Sequence, residues 1–130
     1  MPGTFTFKPV EANLTDEKGF QEWNDPYCKV RIGLHSEKTS VAQHEGKNPH
    51  WFETLLLKEK KGKHYATVKV KEHMELNVLN LIGKAQVDLD EVRRLGKVTK
   101  KYPLERRGSS TGEILLQIEY HPQVVNLQSK

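Results

Sequence analysis

An antiparallel β-sandwich of about eight strands is the fold class this sequence predicts, and three observations predict it. Apolar residues recur at every second position through most of the chain, as they do when alternate side chains of a strand face a core. Gly, Pro, Asn and Asp interrupt the alternation at regular intervals, the punctuation of short strands joined by turns. A length of 130 residues, 35% of them hydrophobic, suits one domain with one core.

The elements follow in order. Phe5 and Phe7 share one face of a first strand; the parity slips before Val10 and Ala12, and Pro9, which cannot donate to a ladder, predicts a bulge there. Residues 13–24 read as a polar loop that carries Gly19, Phe20 and Trp23. Pro26 fixes the backbone where the loop becomes a second strand over 26–33. On that strand Cys28, Val30 and Ile32 point inward while Tyr27, Lys29 and Arg31 share the outer face. A turn over 34–37 leads to a short third strand over 38–43, and Gly46 and Pro49 break the pattern before a fourth run over 51–57. Residues 58–63, mostly lysine, form a solvated hairpin connection.

Ala66, Val68 and Val70 alternate with Thr67, Lys69 and Lys71 in a fifth strand, residues 72–80 form a loop, and 81–89 a sixth strand. Asp90 caps a short helix over 90–95 that Gly96 stops. A brief strand over 102–104, a turn-rich loop over 106–112 and a last strand lined by Ile114, Leu116, Ile118 and Tyr120 complete the sandwich. The domain is expected over 1–122, with a polar tail over 123–130. Cys28, Val30, Ile32, Trp51, Val68, Val70, Ile82, Ile114, Leu116 and Ile118 are expected in the core.

Composition narrows the function classes. The formal charge of +4 favours anionic partners: lipid head groups, acidic proteins or nucleic acid. No apolar run approaches the roughly 18 residues of a membrane span. Met1-Pro2-Gly3-Thr4 has no hydrophobic signal core, which predicts a chain that is not secreted. Cys28 is the one cysteine, so no internal disulfide forms, as suits the cytoplasm. No nucleophile–base pair or phosphate-cradling glycine loop stands out, and the six histidines lack zinc-site spacing, so neither catalysis nor a bound cofactor is expected.

Five motifs occur in order along the chain: Asp25-Pro26-Tyr27; Asn48-Pro49-His50-Trp51, continued by Glu53 and Thr54; Leu81-Ile82-Gly83; Tyr102-Pro103-Leu104; and Gly112-Glu113-Ile114. Together they resemble the C2 domain, in its second topology. The stretches over 25–28 and 37–42 are similar to small plant single-C2 proteins of the elicitor-responsive type and to the C2 domain of the toll-interacting adaptor. Phe52 stands where the family usually has asparagine.

The resemblance implies a monomeric, peripheral membrane module that is recruited to anionic phospholipids or phosphoinositides, with a protein-interaction adaptor as the alternative. Nucleic acid is the less favoured anionic partner. Tyr27, Lys29, Arg31 and Lys38 correspond to the family's lysine-rich groove, although Ser40 falls where another lysine is common. Phe20 and Trp23 in the first loop, and Leu76, Val78 and Leu79 in the third, would form an apolar membrane tip. Calcium positions map onto Asp16, Asp25 and Glu72, with Met74 and Asn80 in place of further carboxylates, so calcium-independent recruitment is expected. Arg106 and Arg107 are expected to bias the same end toward anionic lipid.

Overall fold

A computed structural model describes residues 3–15, 25–42, 45–73 and 81–123. Eight strands run in the order β1 (Thr4–Leu14), β2 (Pro26–Ile32), β3 (His35–Lys38), β4 (Leu55–Lys58), β5 (Tyr65–Glu72), β6 (Leu81–Asp88), β7 (Lys97–Arg106) and β8 (Ser109–His121), with helix α1 (Leu89–Leu95) between β6 and β7. Hydrogen bonding links them as β3-β2-β5-β6-β7-β8-β1-β4, with antiparallel pairings throughout. Between β6 and β7 the ladder shrinks to the pair Lys84 and Glu105. The chain is therefore a sandwich of two four-stranded sheets, β3-β2-β5-β6 and β7-β8-β1-β4, hinged along one seam.

Alternation fills the space between the sheets. Cys28, Val30, Ile32, Ala66, Val68, Val70, Ile82 and Val87 from the first sheet meet Phe5, Phe7, Leu57, Leu104, Ile114, Leu116 and Ile118 from the second, and all are fully buried. Burial pushes the Cys28 thiol up, so it stays protonated and packs as a small apolar group. The predicted bulge in β1 is present: the register against β8 shifts between Pro9 and Glu11, which lets Pro9 and Val10 both turn inward.

Several boundaries differ from the sequence reading. The third strand is 35–38, not 38–43: at Thr39 the regular ladder becomes irregular, since its buried hydroxyl accepts from Cys28 N–H at 3.0 Å in place of a strand carbonyl, although Thr39 N–H still donates to Cys28 O at 2.9 Å. The turn before it shrinks to Gly33 and Leu34, since Ile32 pairs with His35. The fourth strand starts at Leu55; before it, Phe52 takes φ +57, a left-handed conformation that asparagine adopts more easily than a bulky aromatic. The loop expected over 106–112 is a two-residue hairpin, Arg107-Gly108, with Arg106 opposite Ser109. The helix cap is Asp88, not Asp90: its carboxylate accepts from Asp90 N–H at 2.9 Å and Glu91 N–H at 3.2 Å.

Arg93 is structural. Its guanidinium donates to Glu59 at 2.5 Å and lies 5.3 Å from the Phe5 ring centroid. Glu59 also accepts from Gly3 N–H at 2.9 Å and Tyr120 O–H at 2.8 Å. Burial opposes ionisation of Glu59, but these three donors and the Arg93 charge outweigh it and hold the carboxyl below its usual value of 4.5. The network ties the first residues of β1 to the β4–β5 connection.

Candidate functional site

The sequence motifs are physical joints. Trp51 donates its indole N–H to the Pro26 carbonyl at 3.1 Å, so the Asn-Pro-x-Trp segment clamps the start of the Asp-Pro-Tyr strand. Trp51 N–H in turn reaches Val10 O at 3.0 Å, which carries the clamp across to the second sheet. Gly83 sits where β6 passes close to the other sheet: a Cβ there would collide with the Thr111 hydroxyl and sit 3.0 Å from Leu104 Cβ. These joints hold β2 and β6 against the second sheet, and the ladders β2–β5 and β5–β6 set the strands side by side to build the site.

Lys29 is directly opposite Lys38 on β3 and Lys69 on β5, and Lys69 is directly opposite Lys84 on β6. Directly opposed residues share a face, so Lys38, Lys29, Lys69 and Lys84 form one row across the outside of the first sheet. Neighbouring strands are about 4.8 Å apart, giving the row a span of about 14 Å at the backbone. Arg31 stands beside Thr67 and Ser36 below the row, and Lys71 beside Tyr27 above it. The Lys38 ammonium lies 5.6 Å from the Tyr27 ring centroid. Glu105, opposite Lys84, closes the far end.

The electrostatics of the row are unfavourable in the free protein. Partial burial, then the charges of Lys71, Lys29, Lys84 and Arg31, hold the Lys69 ammonium below its usual value of 10.5. Lysine ion pairs occur on the other sheet instead: Lys97 with Glu119 at 3.9 Å, Lys100 with Glu91 at 3.0 Å and Lys101 with Glu113 at 3.6 Å.

The structure thus brings together the four groove residues the sequence singles out, Tyr27, Lys29, Arg31 and Lys38, and adds Lys69, Lys71 and Lys84. These three alternate with apolar residues in strands that were legible, but their neighbours in space depend on the strand order β2-β5-β6, which no local pattern encodes. At the end of the sandwich where β2 begins, Asp25 N–H donates to the Glu72 carboxylate at 3.0 Å and His73 N–H to Asp25 O at 3.0 Å. Asp25 and Glu72 are therefore neighbours, joined through the Asp25 backbone. Asp16, Met74 and Asn80, and the expected tip residues Phe20, Trp23, Leu76, Val78 and Leu79, lie outside the described residues. Among the described residues, no three His, Cys, Asp or Glu side chains come together to hold a metal ion. Arg106 is tied inward by a 3.1 Å bond to Leu81 O, whereas Arg107 is exposed at the hairpin tip.

Fold and surface define a class: a β-sandwich module that presents a cationic sheet face. Residues 3–104 match the C2 domain, and the chain belongs to that family, whose modules engage membranes, lipids or proteins. Elicitor-responsive protein 1 of Oryza sativa subsp. japonica is 26% identical over a 99-position match that covers 67% of this chain and 62% of that protein's length. A solved C2 domain-containing protein from a putative elicitor-responsive gene superposes with a TM-score of 0.85 at 22% identity, covering 97% of this chain and 93% of that one. The first C2 domain of plant Extended Synaptotagmin 1 gives 0.78 at 19% identity, covering 96% and 99%. The calcium-bound pair of C2 domains from Extended Synaptotagmin 2 gives 0.74 at 22% identity, covering 92% and 46%. No helix among the described residues is long and apolar enough to cross a membrane.

Proposed function

We propose that this domain is a non-enzymatic cytoplasmic module that binds anionic phospholipid membranes, phosphoinositides above all, through the cationic face of β3-β2-β5-β6, and does so without calcium. The observation that carries this reading is the row Lys38–Lys29–Lys69–Lys84, whose members face one another across adjacent strands. A row of like charges costs the free protein stability, and a multiply charged phosphate lying across it relieves that repulsion. Each cation near an anionic leaflet contributes about 1 kcal/mol, so recruitment needs the row as a unit.

Calcium independence rests on the donor set. Calcium takes roughly 6–8 oxygen ligands. Glu72 already accepts a backbone N–H, and the third-loop positions carry the thioether of Met74 and the neutral amide of Asn80. That set does not suit a hard divalent ion.

The test is vesicle flotation at physiological salt in the presence of a calcium chelator. The protein is expected to float with phosphatidylcholine vesicles that contain phosphatidylinositol bisphosphate and to remain behind with phosphatidylcholine alone. Flotation that requires micromolar calcium and is lost in Asp25→Asn would overturn calcium independence. Failure to float under either condition, with single-stranded RNA retarded instead, would overturn the lipid reading.

A further inference from the structure

The β2–β3 hairpin holds the most exposed large apolar side chain among the described residues: Leu34, 93% exposed. A single exposed leucine is ordinary on a protein surface. This one is distinguished by how it is held and by what surrounds it. Gly33 and Leu34 alone make the turn, and Gly33 takes φ +62, the conformation that lets a two-residue hairpin close without splaying its strands. Arg31 donates from Nε to the Gly33 carbonyl at 2.7 Å, bracing the turn from the strand side. From the other side comes the β4–β5 connection, itself a turn closed by Lys63 N–H to Lys60 O at 3.1 Å. A side chain added to Gly33 would sit 3.6 Å from Lys63 Cε and 3.8 Å from Lys60 Cγ. Leu34 thus projects from a braced turn whose other residue, Gly33, is flanked by three cationic side chains.

The point is continuous with the cationic face. Along β5, Lys69, Thr67 and Tyr65 project to the same outer side, and Arg31 is opposite Thr67, so the next position down β2 brings Gly33 toward Tyr65. Tyr65 is 56% exposed, an aromatic ring with a polar tip of the kind that favours the membrane–water boundary. The acids nearest this end are otherwise engaged: Glu37 pairs with His35 at 2.6 Å, and Asp88 caps α1.

We propose that Leu34, with Tyr65 beside it, enters the acyl boundary of an anionic bilayer while Lys29 and Lys69 contact its head groups. This deepens the lipid-binding reading and rests on it. The domain would dock by the flank of its first sheet, with the strands inclined so that the β2–β3 hairpin leads. That hairpin is at the opposite end from Asp25 and Glu72. The occupant is a bilayer and not a soluble acidic chain because an apolar tip inside a cationic ring matches a surface that is anionic outside and apolar beneath.

Because Cys28 is fully buried, Leu34→Cys can be labelled at one position with an environment-sensitive dye. Phosphatidylcholine vesicles that contain phosphatidylserine and phosphatidylinositol bisphosphate should shift its emission to the blue, and lipid-borne quenchers should quench it. Without label, Leu34→Ser should bind the same vesicles about fivefold more weakly. Leu56→Ser, at an exposed leucine of the second sheet, should bind as the unaltered protein does. If the protein cosediments with vesicles while the label stays water-like, or Leu34→Ser binds at full strength, the hairpin proposal is overturned and the cationic-face reading stands. If the unaltered protein does not cosediment at all, both are overturned.

Discussion

Tyr102 is 5% exposed, and its hydroxyl has no hydrogen-bond partner among the described residues, although Lys100 covers its ring at 5.2 Å. Burial, reinforced by the charges of Glu91 and Asp88, pushes its phenol up to about 12 from 10.0. An acid whose proton is held more tightly in the fold than in the unfolded chain contributes stability that is present below its ordinary value and falls as pH climbs from 10.0 toward about 12. Tyr102→Phe removes a buried hydroxyl that has no bond to lose, so its stability at neutral pH should lie within about 1 kcal/mol of the unaltered protein, or above it. Its decline between those two pH values should be shallower, with the share of Tyr120, whose phenol is raised by its bond to Glu59, remaining. Denaturant titrations across that range check both expectations; a neutral-pH loss well beyond that margin would show that the hydroxyl is bonded. Single residues were legible from sequence where they alternate with neighbours. All ten residues expected in the core are buried, because period two dictates which side of a strand faces in. The partners of polar atoms such as Thr39 Oγ1 or Glu59 are set across the sheet and left no local trace.

Three strands make the candidate site. β2 and β5 alternate cleanly, β6 does so after the break at Ile82-Gly83, and each is anticipated within a residue or two, yet the row they form depends on their order. The sequence signal was Lys29, Arg31 and Lys38; Lys69 and Lys84 join only because β5 pairs with β2 on one side and β6 on the other. Lys69 sits at the centre of the repulsion. At neutral pH it is fully charged, so the cost of confining it among four other cations is fully present. Lys69→Met keeps the aliphatic stem and removes the charge. The variant should be more stable than the unaltered protein by about 0.5 kcal/mol in chemical denaturation, the usual scale for relieving a surface conflict, and should bind phosphoinositide vesicles less well. Lower stability together with unchanged binding would mean that the row neither repels itself nor meets lipid.

Over the whole molecule the charge is divided unevenly between the two sheets. The second sheet sets Lys97, Lys100 and Lys101 against Glu119, Glu91 and Glu113, while the first presents Lys29, Arg31, Lys38, Lys69, Lys71 and Lys84 on one face. The net charge of +4 was plain in the sequence, but its placement was not, since placement is a property of the assembled sandwich. Such a face orients the domain as it approaches an anionic surface, and the attraction weakens as salt screens it. The most direct measurement is vesicle affinity, in chelator and at physiological salt, of a variant in which Lys29, Lys38, Lys69 and Lys84 are all alanine, alongside the thermal unfolding of the same variant. The variant should melt no lower than the unaltered protein and should lose about 4 kcal/mol, on the order of a thousandfold, in affinity for phosphoinositide vesicles. A variant that unfolds at the same temperature and still binds those vesicles within a few-fold of the unaltered protein, against the loss of about 1 kcal/mol expected for each cation, would contradict the account.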